Sequence, residues 1–170
     1  MNRTHVLGTS LGGFVAQELA LSRPELVGRL VLVSTGHGAR GQERMTLGAM
    51  GEMSGLGALS AKQAVRSGLK GATSERYRAE NPEEFERIVE KRLADSPSLA
   101  SYYRQAMAGW RFDASGEVGH LSAPPLVVHG SEDRYVPPSG GRALAEAIPN
   151  ARLRLVEGGA TWSSSSGPPR

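Results

Sequence analysis

The sequence predicts an α/β fold built on a parallel sheet, because strand and helix patterns alternate near both ends of the chain. Residues 5–8 form a short apolar run that ends at a glycine, which indicates a buried strand. From Leu11 the apolar residues recur at helical spacing until Pro24, and residues 30–33 are a second continuous apolar run. A strand, a helix and a strand with short connections predict a parallel pair.

The same alternation resumes near the end of the sequence. Residues 125–130 predict a buried strand, and residues 142–148 predict a helix that a proline stops. Residues 152–156 alternate between apolar and charged side chains, as an edge strand does. Residues 163–170 are rich in serine and proline and carry no folding signal, so we predict a disordered tail that begins at residue 161.

The middle of the chain, residues 38–119, contains no convincing strand pattern. Its first part is rich in glycine and methionine, and three helix patterns follow it. The start signals of these helices are a capping box at residues 60–63, Asn81-Pro82 and Ser96-Pro97. We therefore predict a helical insertion over residues 38–119, carried on the sheet of a domain that spans residues 1–160.

The composition excludes several classes of protein. The chain has no cysteine, which rules out disulfides, thiol catalysis and cysteine-ligated zinc. No apolar run approaches the roughly 18 residues of a membrane span, and the stretch after the first residues is too short for a signal peptide. The net charge is +3, but basic residues do not cluster and aromatics are few. We expect a cytoplasmic protein that binds neither nucleic acid nor membrane; its oligomeric state stays open.

One motif carries chemistry: residues 8–13, Gly-Thr-Ser-Leu-Gly-Gly, match the G-x-S-x-G nucleophile elbow between a strand and a helix. The serine of such a turn is strained, and small residues two positions before and after it let strand and helix approach closely. The turn raises the hydroxyl of Ser10 above the sheet. The backbone N–H of Leu11 is then a candidate donor to an oxyanion.

Two other interpretations of this motif exist. It is also compatible with a glycine- and serine-rich turn that has no chemistry. A dinucleotide-binding loop is disfavoured, because Ser10 stands where the middle glycine should approach a pyrophosphate. The following strand also ends at Ser34-Thr35, with no acid to hold a ribose.

A second group of residues completes a resemblance. Asp133 follows the predicted strand 125–130 within Gly130-Ser131-Glu132-Asp133, and parallel sheets place functional groups at that end of a strand. The elbow, the strand ending Leu32-Val33-Ser34, the helical insertion and this acid turn occur in order. In that order they resemble the α/β-hydrolase superfamily, in the branch of esterases, lactonases and cofactor-free haloperoxidases. The resemblance extends up to Gly158.

The resemblance implies a fold, a site and a reaction. The fold would be the C-terminal part of the family's parallel sheet, its strands 5 to 8, with a helical cap. Ser10 would be the nucleophile and Asp133 the acid that orients a catalytic histidine, without cofactor or metal. A serine nucleophile favours acyl transfer from a small-molecule ester or lactone.

The sequence departs from the family at both ends. The family's elbow follows its fifth strand, so the chain is interpreted as the C-terminal portion of a hydrolase. Thr161 stands where the catalytic histidine belongs. In GC-rich codons, the tail read one nucleotide earlier begins His-Leu-Val-Phe-Leu-Glu, which resembles the missing segment. A frameshift near residues 158–160 is one hypothesis; a non-catalytic remnant or a small-molecule binding module is the alternative function.

The four histidines that are present, at positions 5, 37, 120 and 129, are poorly placed for catalysis. His5 lies in the first strand, and His37 and His120 flank the helical insertion. His129 precedes the acid and is expected to pack beside its turn. We predict structural roles for all of them.

Overall fold

A four-stranded parallel sheet forms the centre of the computed structural model, which describes residues 3–38, 46–54, 60–95 and 98–161. The strands lie side by side in chain order, and every neighbouring pair is parallel. They are β1 (Thr4–Thr9), β2 (Val27–Val33), β3 (Leu126–Gly130) and β4 (Arg152–Val156). The predicted α/β fold class and the parallel sheet are confirmed.

Seven α-helices accompany the sheet in the described part of the chain. They are α1 (Leu11–Ser22), α2 (Leu47–Ser54), α3 (Ala61–Ala72), α4 (Glu75–Glu80), α5 (Pro82–Ala94), α6 (Leu99–Arg111) and α7 (Pro138–Ala147). Short 3-10 turns at Pro24–Leu26 and Val118–His120 lead into β2 and toward β3. Among the described helices, none has the length and apolar character that crossing a membrane requires.

Some of the capping signals in the sequence form hydrogen bonds at the start of a helix, and others do not. The hydroxyl of Ser60 accepts from the N–H of Gln63 at 3.2 Å, so the predicted cap of α3 is confirmed. Asn81 precedes α5 but makes no cap bond, since its side chain donates to the carbonyl of Tyr77 instead. The predicted start at residues 96–97 lies outside the described residues, and the hydroxyl of Ser98 caps α6.

The core lies between the sheet and helices α1 and α7. Side chains of β2 and β3 such as Leu32 and Val127 are fully buried and pack with Ala16 of α1 and Leu144 of α7. Both helices cover the same face, because right-handed crossovers between strands in sequential order all pass on one side of a sheet. Helices α2 to α6 lie in the connection between β2 and β3.

The two ends of that connection meet at one point. The N–H of Ala114 donates to the carbonyl of His37 at 2.9 Å. Gly38 has a φ of 76°, and a Cβ added there would lie 2.1 Å from the carbonyl oxygen of Phe112. A residue with a side chain is excluded by both the backbone angle and the contact. The helical segment therefore leaves the sheet and returns to it through a closed neck.

Replacing Gly38 with alanine tests this neck. We expect Gly38→Ala to lower the free energy of unfolding by about 2 kcal/mol, from the strained φ and the collision with Phe112. Urea unfolding measures the effect. Gly51→Ala in α2 is the matched control, because nothing in the described residues lies within 4 Å of an added Cβ; it should raise stability slightly through helix propensity. Equal behaviour of the two variants would contradict the model of the neck.

The neck also predicts a dependence of stability on pH. Burial lowers the pKa of His37, and the carboxylate of Asp113 opposes part of that shift. In the unfolded chain, His37 therefore binds a proton near pH 6.5, whereas in the folded chain it does not. The contribution of neutral His37 to the free energy of unfolding is thus complete above that pH and is lost progressively below it. Urea midpoints at pH 7.5 and about 5.5 measure the loss. His37→Gln should reduce the loss, whereas His120→Gln, at an exposed position, should leave it unchanged.

Candidate active site

Ser10 occupies a strained turn between β1 and α1. Its φ of 50° and ψ of −120° lie outside the regions that residues with a side chain ordinarily adopt. Its N–H donates to the carbonyl of Val33 at 2.9 Å, and its carbonyl accepts from the N–H of Gly13 at 2.8 Å. The hydroxyl of Thr35 donates to the same carbonyl at 3.0 Å. Hydrogen bonds from the next strand and from the first helical turn therefore hold the strained conformation.

Small residues around the turn are required, but not all at the predicted positions. A Cβ added to Gly8 would lie 2.3 Å from the carbonyl oxygen of Gly12 and 2.8 Å from the Cβ of Ala16. A Cβ on Gly12 would meet no described atom within 4 Å, so a side chain there has room and that part of the prediction is wrong. The crowded residue is Gly13, whose added Cβ would lie 2.5 Å from the Cγ2 of Thr35.

The start of α1 gives the turn its electrostatic character. Leu11 is the first residue of the helix, and the first N–H groups of a helix have no acceptor within it. These donors and the helix dipole favour negative charge next to Ser10. The turn can therefore present a hydroxyl beside donors suited to an oxyanion.

Asp133 is a buried acid in the turn after β3. Its side chain is fully buried, and one oxygen, Oδ1, accepts from the N–H groups of Tyr135 at 3.0 Å and Val136 at 2.9 Å. The hydroxyl of Thr161 donates to the same oxygen at 2.5 Å. Three donors on one oxygen fix the orientation of this side chain. The threonine that replaces the expected histidine thus contacts the acid directly, which sequence reasoning did not foresee.

The other oxygen of the acid faces His129. Asp133 Oδ2 lies 3.7 Å from His129 Nε2, which itself is 2.8 Å from the carbonyl oxygen of Val136. Neither Asp133 Oδ2 nor His129 Nδ1 has a hydrogen-bond partner among the described residues. A Cβ added to Gly141 of α7 would lie 2.4 Å from His129 Nδ1, so the helix packs closely against the imidazole ring. His129 packs beneath the acid turn, as the sequence predicted.

The remaining histidines lie apart from the acid in the described structure. His5 is exposed on β1, and His120 is exposed in the 3-10 turn before β3. His37 is buried at the neck. Over the residues that the structure describes, no group of three histidine, aspartate or glutamate side chains is arranged to hold a metal ion.

Parallel strands bring the candidate residues to one edge of the sheet. Ser10 follows β1, Asp133 follows β3 and Thr161 follows β4, each beyond the carboxyl end of its strand. In the sheet, β2 lies between the strands that carry Ser10 and Asp133. Open parallel sheets bind their ligands outside this edge.

Two clefts flank this edge. One, of about 400 Å³, lies between α1 and α6 and is mostly apolar, with Leu11 and Phe112 in its wall. The other, of about 480 Å³, lies between the α3–α4 junction and the acid turn, and Asp133 forms part of its wall. Ser10 lines neither cleft. Neither of these two clefts therefore contains both the serine and the acid.

The sequence is similar to those of several known hydrolases. The chain is 29% identical to a 2-hydroxy-6-oxononadienedioate/2-hydroxy-6-oxononatrienedioate hydrolase of Cupriavidus pinatubonensis, over 96% of this chain and 57% of that protein. The chain thus spans less than two thirds of the length of this relative.

Solved structures of two enzymes are similar to this chain. Est816, described as an N-acyl homoserine lactone degrading enzyme, is 26% identical with a TM-score of 0.72, over 92% of this chain and 60% of that one. The enol-lactonase of Burkholderia xenovorans LB400 has a TM-score of 0.71 at 21% identity, over 91% of this chain and 57% of that one, and so shares the fold.

The model of one family covers nearly the whole chain. This family is described as serine aminopeptidase, S33, and its match spans residues 2–160. The match ends one residue before the threonine that contacts Asp133. On this evidence the chain belongs to the S33 serine aminopeptidase family, within the α/β-hydrolase superfamily.

Proposed function

We propose that the chain carries the nucleophile and the acid of a serine hydrolase that cleaves a small ester or lactone by acyl transfer. The observation that carries the proposal is the conformation of Ser10, a non-glycine residue held at positive φ between a strand and a helix N-terminus. Strain of this kind persists where the surrounding structure is built to hold it, and it concentrates at functional sites. The family match and the lactone-degrading structural relative support the same reaction class.

Each residue has a role in this proposal. The hydroxyl oxygen of Ser10 attacks the substrate carbonyl, and the N–H of Leu11 donates to the oxyanion that forms. A base must take the proton of the serine and pass it to the leaving alcohol, after which water hydrolyses the acyl-serine. Asp133 would orient that base. The reaction requires no cofactor or metal.

The identity of residue 161 limits catalysis by the chain as it stands. A threonine hydroxyl can donate to Asp133, but it cannot accept a proton near neutral pH as an imidazole does. Removing the base from a serine triad costs about as much as removing the whole triad, roughly 10⁶ in rate in subtilisin. We therefore expect very slow turnover from this sequence.

A second function is favoured by one contact. The hydroxyl of Thr161 donates to Asp133 Oδ1, at the position where the family resemblance leads us to expect a histidine. An acid held by a hydroxyl that cannot act as a base suits a non-catalytic remnant or a module that binds a small molecule without turning it over. The two proposals differ in whether a base placed at position 161 creates reactivity at Ser10.

Installing the histidine tests the proposal. We expect Thr161→His to raise both the rate of labelling by a fluorophosphonate probe and the hydrolysis of p-nitrophenyl acetate by at least about tenfold, since a positioned general base contributes roughly 10²–10⁴. Mass spectrometry of the labelled protein should place the probe on Ser10. Urea unfolding of each variant shows that the proteins compared are folded.

Two controls make this test specific. In Thr161→Asn, a polar side chain can still reach Asp133 but cannot act as a base. This variant should therefore show no increase in probe labelling or in ester hydrolysis. Thr161→His combined with Ser10→Ala should lose the gained reactivity. A folded Thr161→His protein without any gain would favour the binding module, and a gain that survives Ser10→Ala would show that Ser10 is not the nucleophile.

A further inference from the structure

Tyr135 contacts both the acid and the helical insertion. Its backbone N–H donates to Asp133 Oδ1 at 3.0 Å. Its phenol hydroxyl donates to the carbonyl of Gly68 in α3 at 2.9 Å, across a separation of 67 residues in the chain. The same residue thus holds Asp133 with its backbone and α3 with its side chain.

The ring of Tyr135 packs directly against the backbone of α3. Tyr135 is 8% exposed and forms an apolar cluster with Ala49 of α2 and Ala72 of α3. A Cβ added to Gly71 would lie 2.3 Å from the phenol oxygen and 2.5 Å from Cζ of the ring. Because such distances are too short for a real Cβ, only glycine at position 71 allows this approach. The ring therefore sets the distance between α3 and the acid turn.

Hydrogen bonds tie the carboxyl end of α3 to α4. The guanidinium of Arg78 on α4 donates to the carbonyl of Lys70 at 2.7 Å and to the carbonyl of Thr73. The hydroxyl of Thr73 donates to the carbonyl of Leu69, also at 2.7 Å. These bonds satisfy carbonyls that the end of a helix otherwise leaves without a partner. We therefore expect the α3–α4 junction to move as a unit, so that its displacement reaches Tyr135.

The second backbone donor to the acid is supported from the sheet instead. The N–H of Val136 donates to Asp133 Oδ1 at 2.9 Å, and the carbonyl oxygen of Val136 lies 2.8 Å from Nε2 of His129 in β3. His129 is fully buried and packs against α7. Of the two N–H groups that hold Asp133, that of Val136 thus depends on the sheet and that of Tyr135 on the insertion.

We propose that Tyr135 is a positioning residue, which makes the orientation of Asp133 depend on the position of the helical insertion. A carboxylate can orient a catalytic base only while its own hydrogen-bond donors hold it in place. The cleft of about 480 Å³ lies between the α3–α4 junction and the acid turn, so a ligand bound in it would contact both elements that Tyr135 joins. The inference rests on the proposed function for the catalytic role of Asp133, but the link itself can be measured without a reaction.

Hydrogen exchange measures this link in the chain as it stands. Tyr135→Phe removes the hydrogen bond to Gly68 and keeps the ring. We expect NMR to show that the amide at position 135 exchanges about tenfold faster, which corresponds to the loss of roughly one hydrogen bond. The amide of Val136 should change by less than about twofold, because His129 supports it from the sheet.

A change in α3 alone should have the same effect. Gly71→Ala leaves the acid turn unaltered, but the added Cβ would displace the ring of Tyr135, so exchange at position 135 should again become faster. Two matched variants serve as controls. Gly51→Ala adds a methyl group to α2 where no described atom lies within 4 Å. Tyr102→Phe removes a hydroxyl of α6 that makes no hydrogen bond with another described residue. Both controls should leave exchange at position 135 unchanged.

Kinetic measurements connect the link to the reaction. In a Thr161→His background, Tyr135→Phe should lower kcat for p-nitrophenyl acetate by about tenfold and change KM little, because the acid acts on the base and not on substrate binding. The apparent pKa in the pH–rate profile should also fall, since a poorly oriented carboxylate stabilises the protonated imidazole less. A loss of global stability alone would not shift this profile.

Four results would overturn the proposal. The first is unchanged exchange at position 135 in Tyr135→Phe, and the second is equal acceleration at Val136 and throughout the sheet, which would indicate a general loss of stability. The third is the same acceleration in either control variant. The fourth is an unchanged pH–rate profile when Tyr135→Phe is added to an active Thr161→His protein. A Thr161→His protein without activity would contradict the proposed function alone, because the exchange results do not require turnover.

Discussion

The parallel pairing of strands in sequential order is the constraint on which the other features depend. Because all neighbouring strands are parallel, the carboxyl ends of all four strands point to one edge. The described helices that pack on the sheet, α1 and α7, share one face, as the usual right-handed crossovers between sequential strands require. That edge receives Ser10, Asp133 and Thr161, which are far apart in sequence. The position of the candidate site is thus a result of the topology of the sheet.

Backbone hydrogen bonds make the edge rigid enough to hold strained residues. Ser10, Ser34 and Ser131 each follow a strand, and each donates its N–H to the carbonyl of a valine in the next strand, at 2.9, 2.9 and 3.0 Å. Ser10 and Ser34 both have positive φ. Conformations of this kind cost about 1–3 kcal/mol each and persist only when neighbouring contacts determine them. The row of serines therefore supplies the order that an active-site turn needs.

The buried side chain of Asp133 is held in its turn by hydrogen bonds from groups other than a histidine. Burying a carboxylate is unfavourable unless hydrogen bonds compensate for the water that it loses. Two backbone N–H groups and the hydroxyl of Thr161 provide that compensation for one oxygen of Asp133. These bonds hold one oxygen of the acid in place whether or not the turn takes part in a reaction, whereas the buried Oδ2 has no hydrogen-bond partner among the described residues.

The features that the sequence predicts are those that depend on residues close together in the chain. Strands β1, β2 and β3 are recognisable because apolar runs in parallel sheets are nearly continuous, and β4 because its residues alternate as in an edge strand. The turn at Ser10 is recognisable because few residue types tolerate its geometry. The sequence analysis does not predict helix α2, helix α4 or the start of α7. In α2 and α7, Gly48, Gly51, Gly140 and Gly141 lower the helix propensity, and only packing compensates for them. The crowding of Gly13 by Thr35 and the bond from Thr161 to Asp133 depend on contacts between distant segments. No local pattern encodes them.

The closed neck at Gly38 and Ala114 has a consequence for how such a protein can diversify. When the two ends of a connection are held together, the free-energy cost of closing that loop grows only slowly with its length, by roughly 0.6 kcal/mol for each doubling. Residues between the ends can thus be inserted, deleted or replaced as a module while the sheet and its edge keep their geometry. A lineage of such proteins can exchange what lies over the edge without rebuilding the scaffold, and so alter its ligands faster than its fold.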